Sequence, residues 1–149
     1  MTTLNLGIID VPYTDHDGDA SGTATGDIAG WLEEKYHIMR IFYEMHSDEI
    51  ADYISGEVEG QLENILVGGR TTDGVLKINI DGAMGNIESR FRKFLDAREM
   101  EGVGYPGVPT KAALDGINHR FKNPYTGKRR PSFIDTGLYQ KSFKAWVEE

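Results

Sequence analysis

Several groups of residues in this 149-residue sequence have the types and spacing that chemistry needs. Asp15, Asp17 and Asp19 in DHDGD offer alternating carboxylates, as a calcium loop would. An EF-hand loop also needs glycine at its sixth place and a bidentate glutamate at its twelfth. Counted from Asp15, those places hold Ala20 and Gly26, so the segment reads as a solvated acidic loop. Glu34 and His37 form E-x-x-H, the contribution of one helix to a carboxylate-bridged metal pair. Such a pair needs a second E-x-x-H and two further glutamates. His46 follows Glu44 at the wrong interval, and His16 and His119 lie outside comparable patterns. Asp135-Thr136-Gly137 has the lettering of an aspartic-protease triplet but stands among helical segments. Lys128-Arg129-Arg130, with Tyr125 and Phe133 nearby, combines positive charge with aromatic faces, as single-strand binding does. Three charges in a turn are more often a solvated loop or a docking site for acidic protein.

Nucleophilic and phosphate chemistry have less to work with. There is no cysteine, no G-x-S-x-G elbow and no G-x-x-x-x-G-K-[ST] loop. Adjacent pairs such as Glu33/Glu34 and Asp48/Glu49 diverge around a helix and read as solvated faces. The sequence therefore leads us to expect no catalytic residue, no metal and no cofactor.

The elements that must hold these residues follow from hydrophobic periodicity. Leu4, Leu6, Ile8 and Ile9 form a short apolar segment halted by Pro12, a strand or an arm. The stretch from Asp15 to Asp27 has hardly an apolar side chain larger than alanine, too little to offset its ordering entropy. We expect residues 1–26 to be an N-terminal arm and flexible acidic loop, and residues 27–149 a single domain. Ile28, Trp31, Leu32, Ile38, Met39, Phe42 and Met45 recur at helical steps, with Asp27 or Thr25 available as the cap. The stripe resumes with Ile50, Tyr53, Ile54, Val58, Leu62, Ile65 and Leu66 and stops at Gly68-Gly69. One long helix, or two helices bent near Ser47, would satisfy it. VLKINID at 75–81 alternates like a half-buried strand. A further helix carries Met84, Ile87, Phe91, Phe94 and Leu95, with Glu88 and Arg92 at i,i+4. Thr110 caps a short helix holding Ala113, Leu114, Ile117 and Phe121. The predicted fold is α+β, mainly helical, with a small antiparallel sheet.

Composition narrows the setting. One domain of this size can bury a sufficient core without staples. The absence of cysteine suits a reducing compartment. No apolar run approaches the roughly 18 residues of a membrane span, and the N-terminus lacks a signal-peptide pattern. The net charge of −8 is unevenly spread. Residues 1–110 hold 20 acidic and 8 basic side chains, and residues 111–149 hold 4 and 8. Opposite-signed ends favour head-to-tail contacts between copies or docking on a charged partner, and overall acidity disfavours a dedicated nucleic-acid binder.

The closing third is the most specific. R-P-S-F-I-D-T-G-L-Y-Q-K-S-F, residues 130–143, resembles the motif of tailed-phage tail-completion and virion-morphogenesis proteins, R-P-L-[IV]-D-T-G-x-L-x-x-S-[IF]. The likeness runs through Arg130, Pro131, Ile134, Asp135, Thr136, Gly137, Ser142 and Phe143, with Tyr139 where the family carries leucine, and covers about the last forty residues. Read physically, Pro131 fixes an extended approach, and Phe133 and Ile134 can bury beside a strand. Asp135 or Thr136 can cap a turn, and Gly137 permits a reversal. The chain ends six residues after Phe143, where the family continues with strands, so the sheet is expected to be reduced or completed by a neighbour.

The resemblance implies a structural, non-enzymatic virion protein of the neck or tail end, assembled in the host cytoplasm. Its implied partners are copies of itself arranged around the tail axis and neighbouring virion proteins; from composition, no membrane is expected and nucleic acid is disfavoured. The expected contact elements are Lys128, Arg129, Arg130, Phe133, Asp135, Thr136, Gly137, Tyr139, Phe143 and Trp146, together with the N-terminal arm. Competing readings are an assembly chaperone absent from particles, a small nucleic-acid-binding regulator, and, third, an enzyme gathering His37, His46 and carboxylates.

Overall fold

The computed structural model describes residues 1–14, 20–68, 78–117, 123–124 and 126–148. In chain order the elements are β1 (Thr3–Ile8), β2 (Pro12–Thr14), β3 (Ala20–Ala24), α1 (Thr25–Tyr36), α2 (Ile38–Leu66), α3 (Asp81–Asp96), α4 (Glu99–Gly102), α5 (Lys111–Leu114), α6 (Leu138–Lys141) and β4 (Phe143–Glu148). The fold is α+β and mainly helical, with small antiparallel two-stranded sheets, β1 with β4 and β2 with β3.

α3 follows its sequence pattern most closely. Met84, Ile87, Phe91, Phe94 and Leu95 all turn inward, because steps of three and four keep them on one face. Phe42 of α2 meets them, its ring 5.2 Å from Phe91 edge-on and 5.5 Å from Phe94. Phe143 of β4 stacks on Phe91 at 3.9 Å. All four phenylalanines are fully buried, and together they are the centre of the core.

The expected long helix breaks twice. His37 separates α1 from α2 in a left-handed conformation, φ 51° and ψ 44°. The Glu33 carboxylate reaches over this break and accepts the Met39 and Arg40 N–H groups at 2.8 and 3.2 Å. Those are donors that the first turn of α2 leaves without helical partners. The second break, at His46 (φ −121°, ψ 16°), lies beside the Ser47 bend read from the sequence.

The N-terminal segment forms part of the domain. β1 pairs with β4 in a register that sets Leu4, Leu6 and Ile8 opposite Val147, Ala145 and Phe143. Period-two alternation then puts these six on the face toward α3. Thr25, fully buried, donates its hydroxyl to the Ile9 carbonyl at 2.6 Å and accepts the Val11 N–H at 2.8 Å. Asp10 accepts the Gly26 N–H at 2.9 Å, and Asp27 accepts the Ala24 N–H at 3.1 Å, so the start of α1 is capped by two carboxylates. β1 therefore takes the strand option over the arm. Of the two outcomes expected for the closing sheet, reduced or completed by a neighbour, the chain shows a reduced one, the two strands β1 and β4. The acidic run Asp15–Asp19 lies outside the described residues.

The strand expected at 75–81 is not formed where the chain is described. Ile78–Ile80 are irregular and Asp81 opens α3, while residues 75–77 lie outside the described set. Asn79 instead exchanges two bonds with the Gln61 side chain, fixing the approach to α3. Thr110 caps α5 as read, accepting the Ala113 N–H at 3.3 Å. The helix read as holding Ala113, Leu114, Ile117 and Phe121 ends at Leu114; Leu114 and Ile117 are exposed, and Phe121 is not among the described residues.

Candidate functional site

The segment from Lys128 to Phe143 is a corner that links α4, α5, α1 and the core. Lys128 is exposed. Arg129 is used internally, its Nη1 and Nη2 donating to Glu101 at 3.0 and 2.7 Å. Glu101 also accepts the Ser132 N–H at 2.9 Å and the Ser132 hydroxyl at 2.8 Å. Burial pushes this carboxyl upward, but Arg129 and the Ser132 donors outweigh it and hold it at about 2. Ser132 Oγ in turn accepts the Thr110 N–H at 3.1 Å, so one chain of bonds joins α4, the corner and the cap of α5.

Arg130 donates to the carbonyls of Ile117 at 2.9 Å and Ile134 at 2.6 Å. It straps two stretches of backbone together. Phe133 does not bury beside a strand as expected. It adopts a left-handed φ of 68° and sets its ring edge-on to Tyr36 at 5.0 Å. Gly137, at φ 79°, is the N-cap of α6, while Thr136 accepts the Leu138 N–H at 3.2 Å. The positive φ at Gly137 is the reversal read from the sequence. Asp135 stands near Tyr13, whose phenol is raised by burial and by the Asp135 charge.

Tyr139 and Phe143 are core residues, 3% and 0% exposed. Burial pushes the Tyr139 phenol far up, with Glu33 and Tyr13 adding to it, and its hydroxyl has no hydrogen-bond partner among the described residues. Trp146 lies on the outer face of β4 and is 41% exposed. Its ring covers Gly7, where an added Cβ would come within 2.8 Å, and its indole N–H donates to Glu148 at 3.1 Å.

Between this corner and α1 lies a groove of about 620 Å³. Ile28, Trp31 and Leu32 form one wall, Phe133 and Leu138 the other, with Lys111 and Arg130 among the lining. Trp31 is 60% exposed despite lying on the apolar stripe of α1. Periodicity placed it on that stripe but does not distinguish a packed face from an open one.

Other functional-looking residues were not legible. His46, dismissed for its spacing from Glu44, meets carboxylates from elsewhere. Its Nε2 is 2.8 Å from Glu99 and its Nδ1 3.3 Å from Glu49. Arg90 donates to the same two glutamates at 2.9 and 2.8 Å. The sequence separations, 53 residues from His46 to Glu99 and 41 from Glu49 to Arg90, hide the cluster from any local motif. Both carboxylates are bonded to Arg90 and lie beside His46, Arg90 Nη1 has no hydrogen-bond partner among the described residues, and no member lines the groove. Glu88, paired with Arg92 at i,i+4 in the sequence, is nearly buried. It takes Lys144 at 3.1 Å and the Ala145 N–H at 3.4 Å, with Arg92 at 3.7 Å.

Glu34 and His37 gain no further ligands. Among the described residues no group of three His, Asp or Glu side chains is placed to hold a metal, and no helix is long and apolar enough to cross a membrane. Compared with family models, curated proteins and solved structures, the chain matches none.

Proposed function

We propose that this chain is a structural, non-catalytic component of a tailed-phage particle. It joins or finishes the tail at the neck or upper end through contacts with copies of itself and neighbouring virion proteins. The proposal rests on the tail-completion motif and on what its residues do. Arg130 straps two backbone stretches, Gly137 reverses the chain, Tyr139 and Phe143 fill the core, and Phe133 and Leu138 wall the groove. Every role is architectural, and the segment presents a concave surface bordered by exposed apolar side chains, as a contact surface does.

Mass spectrometry of purified particles tests the reading, together with electron microscopy of particles made without the chain. The expected results are its presence in complete particles and heads lacking finished tails in its absence. Normal tails made without it would overturn the proposal. A chaperone would be required yet missing from particles. A nucleic-acid role draws less support from the geometry, because Arg129 is paired with the Glu101 carboxylate. A salt-sensitive gel shift would favour it.

A further inference from the structure

We infer that the groove beside Trp31 receives the tip of α2 from a second copy of this chain, in a repeating head-to-tail contact. This names a partner for the assembly role proposed above and rests on that reading.

The tip has the composition of a groove ligand. Leu62 and Leu66 stand four residues apart on the outer face of α2, 40% and 84% exposed, and Val67 follows at 83%. Glu59 and Glu63, both exposed, share that face by the i,i+3 and i,i+4 rule. Apolar anchors at helical spacing flanked by carboxylates are the pattern by which a helix lies in a groove.

The groove has the complementary composition. Its apolar walls are Ile28, Leu32, Phe133 and Leu138, with Trp31 60% exposed among them. Lys111 and Arg130 supply positive charge. The bonds of Arg130 to Ile117 and Ile134 go to neutral carbonyls, which leave its charge available to an incoming carboxylate. Asp135, the carboxylate in the lining, lies beside Tyr13.

The contact cannot close within one molecule. Tyr36, in the groove wall, is two residues before the start of α2, and α2 runs from Ile38 to Leu66. The part of α2 beyond the break at His46 alone spans roughly 30 Å at 1.5 Å per residue. Donor and acceptor surfaces thus lie at opposite ends of the helix. A contact between two different surfaces of identical chains is heterologous, and repeated it gives a ring or a filament.

The test uses the full-length chain in sedimentation velocity between about 1 and 100 µM, the range in which a single modest contact associates. Wild type should gain mass with concentration. Trp31→Asp, and separately Leu66→Asp with Val67→Asp, should each weaken association at least about tenfold while keeping the wild-type circular dichroism spectrum. Mixed in equal amounts, the two variants still hold one intact groove and one intact tip, so they should pair as dimers and stop. Lys111→Glu should also weaken association, and Glu63→Lys in the same chain should restore it; this charge swap serves if an aspartate variant unfolds. A wild-type chain monomeric at about 100 µM, variants that associate like wild type, or a mixture that stays monomeric would each overturn the inference. A monomeric chain that is nevertheless found in particles sinks the self-contact alone. Complementation without incorporation into particles sinks the particle role alone.

Discussion

Replacing Glu101 by glutamine tests whether one carboxylate organises the corner. Its Oε1 accepts Arg129 Nη1 at 3.0 Å and both Ser132 donors at 2.9 and 2.8 Å, and its Oε2 accepts Arg129 Nη2 at 2.7 Å. Glutamine keeps one oxygen for Ser132 but turns an NH2 group toward the guanidinium, so a charge-assisted bond becomes a donor facing a donor. Hydrogen bonds to charged groups contribute about 1.5–3 kcal/mol. With Arg129 about a third exposed and partly screened, we expect a loss of about 2 kcal/mol. For a domain of this size that lowers Tm by roughly 4–8 °C.

The pH dependence fixes the mechanism. The Glu101 carboxyl falls from its ordinary 4.5 to about 2 in the folded chain. A depressed folded value means the stabilisation is complete above the ordinary value and disappears as pH falls through the folded one. Urea unfolding should therefore show a gap between wild type and Glu101→Gln that is full at neutral pH and closes progressively as pH drops below 4.5 toward 2. A gap of equal size at neutral pH and near the folded value, or none at neutral pH, would refute the reasoning.

Phe143→Ala removes a fully buried ring stacked at 3.9 Å on Phe91 and should cost about 3–5 kcal/mol in urea unfolding; a cost near 1 kcal/mol would mean the core is not organised around that stack. Arg90→Ala leaves Glu49 and Glu99 without their shared guanidinium and should destabilise by roughly 2–4 kcal/mol by the same measurement. Gly7→Val drives a side chain into Trp146, 2.8 Å from the position of the new Cβ, and should cost about 1–2 kcal/mol. Most of that penalty should vanish when Trp146→Ala is added, and a double-mutant cycle with no coupling would contradict the contact.

The legible parts of the fold were those whose cause is local. α3 could be read because its apolar residues repeat at helical steps, and the cap at Thr110 because Thr110 and Ala113 are three residues apart. The reversal at Gly137 was readable for the same reason, since only its own φ of 79° is required. What escaped depends on partners distant in sequence. The break at His37 is held by Glu33 reaching over it to Met39 and Arg40, and no spacing rule encodes that reach. β1 and β4 find each other from opposite ends of the chain, each too short for a strong alternation signal. The segment 75–81 shows the opposite failure, since an alternating pattern at its described end leads into a helix. Of the residues expected to form contacts, Tyr139 and Phe143 fill the core and Arg129 is tied to Glu101, while Trp31, on the apolar stripe of α1, is open.

That inversion decides where an assembly surface can be tested. A substitution at Tyr139 or Phe143 would disturb assembly merely by unfolding the chain, because those side chains fill the core. The same holds for Glu101 and Arg129, whose bonds reach through Ser132 to Thr110 and so to the groove-lining start of α5. Stability and contact are separable only where a side chain is exposed and bonded to nothing the fold requires. Leu66 and Val67 at the tip of α2, and Trp31 of α1 and Lys111 of α5 in the groove, are the positions nearest that condition. If association responds to them while unfolding does not, the corner's work is to hold the groove open for a neighbour, and its internal ion pairs act on assembly only through the shape they maintain.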